Sequence, residues 1–411
     1  VPSFSEAFRF WLKLGLISFG GPSGQIAIMQ HELVDQRRWI GQEAFLQALN
    51  FCMLLPGPEA QQLATYIGWK LHGIKGALTA GILFVLPGAL ILYGLAWIAA
   101  EHGDTRIVSA VFTGLKPVVV AIVFYALWKV ARRVLTTGRA TVLAVAAFAA
   151  LELFSVPFPL VVLAAGVIGW LISRNDAAAA HTAQEAPHAE LRTAGRILRM
   201  IAIYAVMLIV PVGIVIAFAG TDPFLALARF FTQAAFVTFG GAYAVLPYVA
   251  DQAVNQFQWL SPDEMINGLA LAETTPGPLI LVLQYVGFFA GWNAGAGTSP
   301  LLAATLGAAV TTYATFLPSI FMIVTGAPYI ERIARIKGAA AALAAISAAV
   351  VGVIATLGVF FAREVVFGGG TADIEAVIVI AVTLAVLMRF TLGLHWVVLA
   401  GALYGLVRLA F

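Results

Sequence analysis

The chain has 411 residues, of which 61% are hydrophobic and only 10% charged, too few charges to keep a soluble surface of that size dispersed. Its formal net charge of +3 is too small to specify a nucleic-acid partner, and the single cysteine, Cys52, excludes an internal disulfide. An integral membrane protein is expected, helical rather than barrel-like, because the long apolar runs show no alternation of period two.

The opening VPSFSEAF has no basic stretch before its first apolar run and is not read as a signal peptide. An apolar segment then covers 4–35, interrupted by Gly20-Gly21, where paired glycines let the backbone leave helical geometry. The next run, 42–55, must end near Pro56, because Pro56-Gly57-Pro58 removes backbone donors and clashes with the preceding turn. Pro58 can then open a new helix over 59–71. Runs 76–99 and 107–128 are long enough for the roughly 20 residues that span a bilayer. The polar stretch Arg174–Arg196 reads as a solvent-exposed loop, followed by one apolar helix over 197–219. Beyond it come 224–253, interrupted by Gly240-Gly241, and two short runs, 263–275 and 279–291, on either side of Pro276-Gly277-Pro278. Spanning runs at 303–326 and 339–362 follow.

The second set of segments copies the first. Arg9-Phe10, Ser18-Phe19-Gly20-Gly21, Trp39 and Pro56-Gly57-Pro58 recur as Arg229-Phe230, Thr238-Phe239-Gly240-Gly241, Trp259 and Pro276-Gly277-Pro278, at a constant offset of 220. Two repeats are therefore expected, 1–173 and 222–411, joined by 174–221 with its linking helix. That extra crossing would turn the second repeat upside down, and loop charges support it. Basic residues gather at Arg37-Arg38, at Lys70 and Lys75, and at Lys129, Arg132, Arg133 and Arg139, while 101–106 and 152–159 hold only Arg106 against Glu101, Asp104 and Glu152. In the second repeat the bias reverses: 250–258 has no basic residue, whereas Arg332, Arg335, Lys337 and Arg389 occupy counterparts of the base-poor loops. Arg363 is an exception, offset by Glu364. The positive-inside rule then gives opposed halves, a hallmark of secondary transporters. The expected fold class is an all-α polytopic membrane protein with two inverted repeats and broken helices. Whether the broken segments form hairpins or further crossings stays open at this level.

Unwound backbone at membrane depth must line a cavity or lie buried in protein. Half-helix N-termini carry partial positive charge, so two of them, one per repeat, would cradle an anion. The expected shell lies between Gly20, Gly21, Pro56, Gly57 and Pro58 on one side and Gly240, Gly241, Pro276, Gly277 and Pro278 on the other. Ser18, Ser23, Gln61, Gln62, Thr238, Thr274 and Thr275 are the neighbouring hydroxyls and amides. Glu59 and Glu273 are ionisable residues beside the breaks, and an intramembrane carboxyl is costly enough to suggest a coupling role. Lys116 would add distant positive potential. The competing reading is that glycines and prolines here serve only tight packing. The six histidines lack ligand spacing and no phosphate loop or dinucleotide fingerprint occurs, so neither a metal, a cofactor nor an enzyme activity is expected.

FWLKLGLISFGGPSGQIAIM and NFCMLLPGPEAQQLATYIGW, with FVTFGGAYAVLPYV and LAETTPGPLILVLQYVGFFAGW in the second repeat, resemble the chromate ion transporter family of prokaryotes in its long, two-domain form. The resemblance covers essentially the whole chain. It implies efflux of chromate, or of a mimic such as sulfate, across the inner membrane by a secondary active transporter, with ion-coupled antiport as the expected mechanism. A passive anion channel or an uptake carrier is the alternative. The family's characteristic residues fall on Phe19, Gly20, Gly21, Pro22, Pro56, Gly57, Pro58, Glu59, Gln61 and Gln62, and on Gly240, Gly241, Pro276, Gly277 and Pro278. The second repeat departs from the first with Ala242 in place of Pro22 and Leu279 in place of Glu59, which points to one asymmetric site. Expected partners are the oxyanion, the lipid bilayer and a coupling proton or counter-anion; a homodimer stays open.

Overall fold

The computed structural model describes residues 2–19, 21–176, 192–295, 299–327, 337–390 and 392–410. Among them are sixteen α-helices and no strand. Gly20, Arg332 and Arg335, and 177–191 of the polar segment, lie outside the described residues.

In the first half, α1 (Phe4–Ile17) and α2 (Gly21–Gln30) flank the first glycine break. The chain turns back there. Lys13 meets Glu32 at 3.2 Å, Arg37 meets Glu6 at 3.8 Å, and Phe10 packs on Trp39 with centroids 5.2 Å apart. The 4–35 run is thus a helical hairpin rather than two crossings. At 14 residues and about 1.5 Å per residue, α1 falls well short of the roughly 30 Å hydrocarbon core. A second hairpin joins α3 (Gln42–Leu54) to the start of α4 (Glu59–His102) around Pro56-Gly57-Pro58, bringing Phe51 within 6.1 Å of Tyr66. Helix α4 is itself two helices, broken at His72 and at Gly73, whose φ of 61° suits glycine. Its second part continues past the membrane-spanning length. Helices α5 (Arg106–Val134), α6 (Gly138–Glu152) and α7 (Phe158–Asp176) complete the half.

After α8 (Arg192–Ala219) the pattern restarts. Helices α9 (Phe224–Val237) and α10 (Ala242–Asp251) form the next hairpin, with Phe230 on Tyr248 at 5.2 Å. Then come α11 (Pro262–Thr274), α12 (Val282–Asn293), α13 (Pro300–Gly326), α14 (Lys337–Phe367), α15 (Ile374–Arg389) and α16 (Leu394–Leu409). The copies agree in detail. Each has a π-helical turn after its glycine break, His31–Gln36 and Gln252–Gln256, and Arg38 and Gln258 share a φ of 53°. Ser18 Oγ donates to Leu14 O and Thr238 Oγ1 to Ala234 O, both at 2.6 Å.

Among the described residues, the helices long and apolar enough to cross a membrane are α4, α5, residues Leu198–Ala219 of α8, α13 and Ala340–Phe367 of α14, the five runs expected from the sequence. The halves interlock: α14 packs on α6 and α7 of the first half, α5 packs on α15 and α16 of the second, and α5 and α14 meet each other. Reciprocal packing of this kind follows from a two-fold relation between repeats, and with α8 adding a single crossing the second repeat is inverted. Helix α8 belongs to neither core. Its spanning window is 6% buried, against 50–61% for the other four, so it lies on the outside of the bundle, against α9 and α13. Within each half, small residues set the approach of helices, since lipid removes the hydrophobic drive between them. A Cβ on Gly287 of α12 would stand 2.6 Å from the Gly307 carbonyl of α13, so the two backbones touch.

Candidate functional site

The two kinds of break meet across the halves. Gly57 N–H donates to Thr238 O at 2.7 Å, and Gly277 N–H donates to Ser18 O at 2.9 Å. Each Pro-Gly-Pro tip is therefore fastened to the glycine break of the other repeat. Both tip glycines need left-handed backbone, with φ of 125° at Gly57 and 95° at Gly277. Gln25, wholly buried on α2, adds a strap: its Nε2 donates to Gly277 O at 2.6 Å and to Ser18 O at 3.2 Å. In a bilayer these unwound groups have no water to fall back on, so the knot satisfies them internally.

That knot consumes much of the expected anion shell. The hydroxyls of Ser18, Thr238, Thr274 and Thr275 all bond back to their own helices. Gln62 Nε2 donates to Pro56 O at 2.7 Å, and Gln61 bonds Thr65 and receives the Ser319 hydroxyl at 2.7 Å. None of these, nor Pro56, Gly57, Pro58, Pro276, Gly277 or Pro278, lines the cavity beside the breaks. Lys116 is elsewhere as well, paired with Asp263 at 2.6 Å, so its charge is neutralised away from the cavity.

What the structure does bring together is the other part of the expected set. A cavity of about 360 Å³ is lined by Gly21 and Ser23 of α2, Glu59 of α4, Gly240 and Gly241, and Glu273 of α11, within the ~300–1,000 Å³ range of small-molecule sites. Its inner end is formed by the first turns of α2 and α10, one from each half. The first N–H groups of a helix have no intrahelical acceptor, and at α10 the N-cap Gly241 supplies no side-chain cap. A Cβ added at Gly21 or Gly241 would meet nothing within 4 Å, so open space stands before both termini. Glu273 accepts a hydrogen bond from the Tyr243 hydroxyl, which ties the end of α11 to the start of α10.

Sequence reasoning missed the basic wall. Lys129 and Arg133, with Tyr125, line the same cavity from α5, and among the described residues neither cation has an ion-pair partner. In the sequence both count only as loop charges that orient the chain. The signal was their spacing: Tyr125, Lys129 and Arg133 stand four apart and share one helix face. The cavity mouth is thus at the end of α5 where basic residues concentrate. An anion at that mouth would meet two full positive charges before the backbone donors. Lys129→Gln combined with Arg133→Gln is expected to raise the KM for the anion about tenfold at low ionic strength, with the difference shrinking as salt screens the field. An equal KM for variant and parent at low salt would remove the basic wall from the path to the site.

Comparison with known proteins follows the same division into halves. The family model described as chromate transporter matches residues 5–170 and again 225–406. The chromate transport protein of Pseudomonas aeruginosa is 30% identical over 355 residues, 86% of this chain and 79% of that protein. The chromate transport protein of Cupriavidus metallidurans is 28% identical over 407 residues, covering 98% of this chain and 92% of its own. A probable chromate transport protein of Synechococcus elongatus is 27% identical over 332 residues, 80% of this chain and 77% of that one. No solved structure matches the chain.

Proposed function

This chain belongs to the chromate transporter family, and from that premise we propose that it exports chromate, or a similar dianion such as sulfate, across a prokaryotic inner membrane. Repeats 1–173 and 222–411 act as the two opposed halves of a secondary active transporter, with 174–221 as their connector. The observation that carries this reading is the cavity whose inner end is built from one half-helix N-terminus of each repeat. Backbone N–H groups there donate to a tetrahedral oxyanion without contributing a full charge, so the ion is held yet can leave. By the positive-inside rule the basic mouth faces the cytoplasm, which makes this an inward-facing arrangement. Glu59 and Glu273 share the cavity with the anion, and a proton taken up by either relieves repulsion as the dianion loads.

A passive channel is the alternative. Against it stands the cavity's lining from one end of α5, with buried apolar residues past the breaks, Val350 at 1% and Val245 and Leu246 at 0% exposure. Purified protein in liposomes is expected to accumulate chromate or sulfate against its own gradient when a pH or counter-anion gradient is imposed. Flux that only dissipates the substrate gradient, whatever else is imposed, would retire coupled transport in favour of the channel.

A further inference from the structure

A second cavity, of about 490 Å³, has no part in the site above. It is lined by residues of α10 from Pro247 to Asp251, by the α6–α7 connection from Glu152 to Phe158, and by Val353, Leu357 and Phe360 of α14. The two cavities lie on the same seam. Helices α10 and α14 pack on each other, and each shows one continuous stripe to both spaces. On α14, Ser347 and Val350 face the first cavity, whereas Val353, Leu357 and Phe360 face the second. On α10, Tyr243 faces the first, and Pro247, Tyr248 and Asp251 face the second. Spacings of three and four keep such residues on one helix face. From Val350 to Val353 is three residues, about 4.5 Å of rise, and from Tyr243 to Pro247 four residues, about 6 Å. One helical turn separates the cavities.

Resting on the transport reading above, we propose that the second cavity is the outward vestibule for the same oxyanion, and that Val350, Val353 and the Tyr243–Pro247 turn form the gate between the two. The plug is dry and dense: Val350 is 1% exposed, and Val353, Ala244, Val245 and Leu246 are 0% exposed. A dianion cannot pass it without the helices parting. The vestibule beyond differs in charge from the entry cavity. No Lys or Arg lines it; Glu152 and Asp251 do. Glu152 is bonded to Arg363 at 3.0 Å, and Asp251 receives Asn255 Nδ2 at 2.9 Å. An anion arriving there finds amides and hydroxyls but no unpaired cation, so it is held weakly and released. The asymmetry is one of affinity; the direction of net flux follows the imposed gradients. Tyr243 belongs to the gate and also donates to Glu273, so the state of that carboxyl bears directly on the turn that must move.

The test uses full-length protein in liposomes, with sulfate as the probe. In a Cys52→Ala background, Ser347→Cys is expected to react with a membrane-impermeant thiol reagent applied at the cytoplasmic face, and Phe360→Cys, at a half-buried position of the second cavity, with the same reagent applied at the other face. Val353→Trp should fill the plug, cutting transport more than tenfold while equilibrium sulfate binding stays at the parent value. Val350→Ala with Val353→Ala should thin it, raising gradient-independent sulfate leak about tenfold. Labelling of both cysteines from one face, or unchanged flux in both folded gate variants, overturns the proposal. Parent protein that moves neither chromate nor sulfate would instead retire the transport reading, and the two-faced labelling pattern would then stand or fall separately.

Discussion

Replacing Gly241 by alanine is expected to weaken chromate binding by about ten- to a hundredfold while the protein still folds. Gly241 caps α10 with φ 95° and ψ 177°, a region that only glycine occupies freely; a side chain held there costs about 1–3 kcal/mol. Space is not the obstacle, because a Cβ would meet nothing within 4 Å. The strain is relieved by rotating the backbone, and rotation turns the first N–H groups of α10 away from the cavity. At about 1.4 kcal/mol per factor of ten, the strain sets the size of the loss. Gly21→Ala should cost less, since φ 70° lies nearer the left-handed helical region, where a residue other than glycine costs about 1–2 kcal/mol. The measurement is equilibrium binding to purified protein, with thermal unfolding as the check on folding. Parent-like affinity in both folded variants would remove the helix-break site, whatever happened to transport.

The order of those two effects depends on backbone angles that no sequence pattern carries. The repeat itself was legible, because identical chemistry at a constant offset of 220 forces the same breaks twice: the π-helical turns, the Arg38 and Gln258 conformations and the Ser18 and Thr238 back-bonds all recur. What the breaks do with their donors was not legible. Pro-Gly-Pro leaves free N–H groups in any sequence reading, but here Gly57 and Gly277 spend theirs on Thr238 and Ser18 of the opposite repeat, contacts between residues far apart in the chain. The hairpins were also hidden, since a glycine pair permits a turn or a kink equally. The Lys13–Glu32 and Arg37–Glu6 pairs decide for the turn. Lys116 and Lys129 show the same limit from two sides. Both are cations on α5, yet one finds Asp263 and the other faces the cavity unpaired, and only the packing of α5 against its neighbours separates them.

The same packing places Glu273 where its charge matters, and Glu273→Gln is expected to abolish the pH dependence of anion loading. The carboxyl sits in the last turn of α11, at the helix end whose dipole disfavours a negative charge. It shares the cavity with Glu59 from α4 and with Lys129, Arg133 and Tyr125 from α5, and Tyr243 of α10 donates to it. With both carboxyls ionised, their two negative charges offset the two cations, and a dianion gains little. A proton on Glu273 leaves the cavity with net positive charge. Acid therefore favours the loaded state and alkali the empty one, with a slope approaching tenfold in affinity per pH unit for one linked proton. Sulfate is the probe because it stays a dianion over the working range, so any slope belongs to the protein. Glutamine copies the neutral carboxyl and keeps an oxygen for Tyr243, so the variant should bind sulfate at least as tightly as the parent and show a flat profile. In liposomes it should exchange sulfate but fail to accumulate it when a pH gradient is imposed. Glu59→Gln separates the two carboxyls: if Glu273 carries the linked proton, that variant keeps the parent's slope. A parent-like slope in Glu273→Gln together with a flat one in Glu59→Gln would move the coupling proton to the start of α4, where the second repeat has Leu279 and no group to share it.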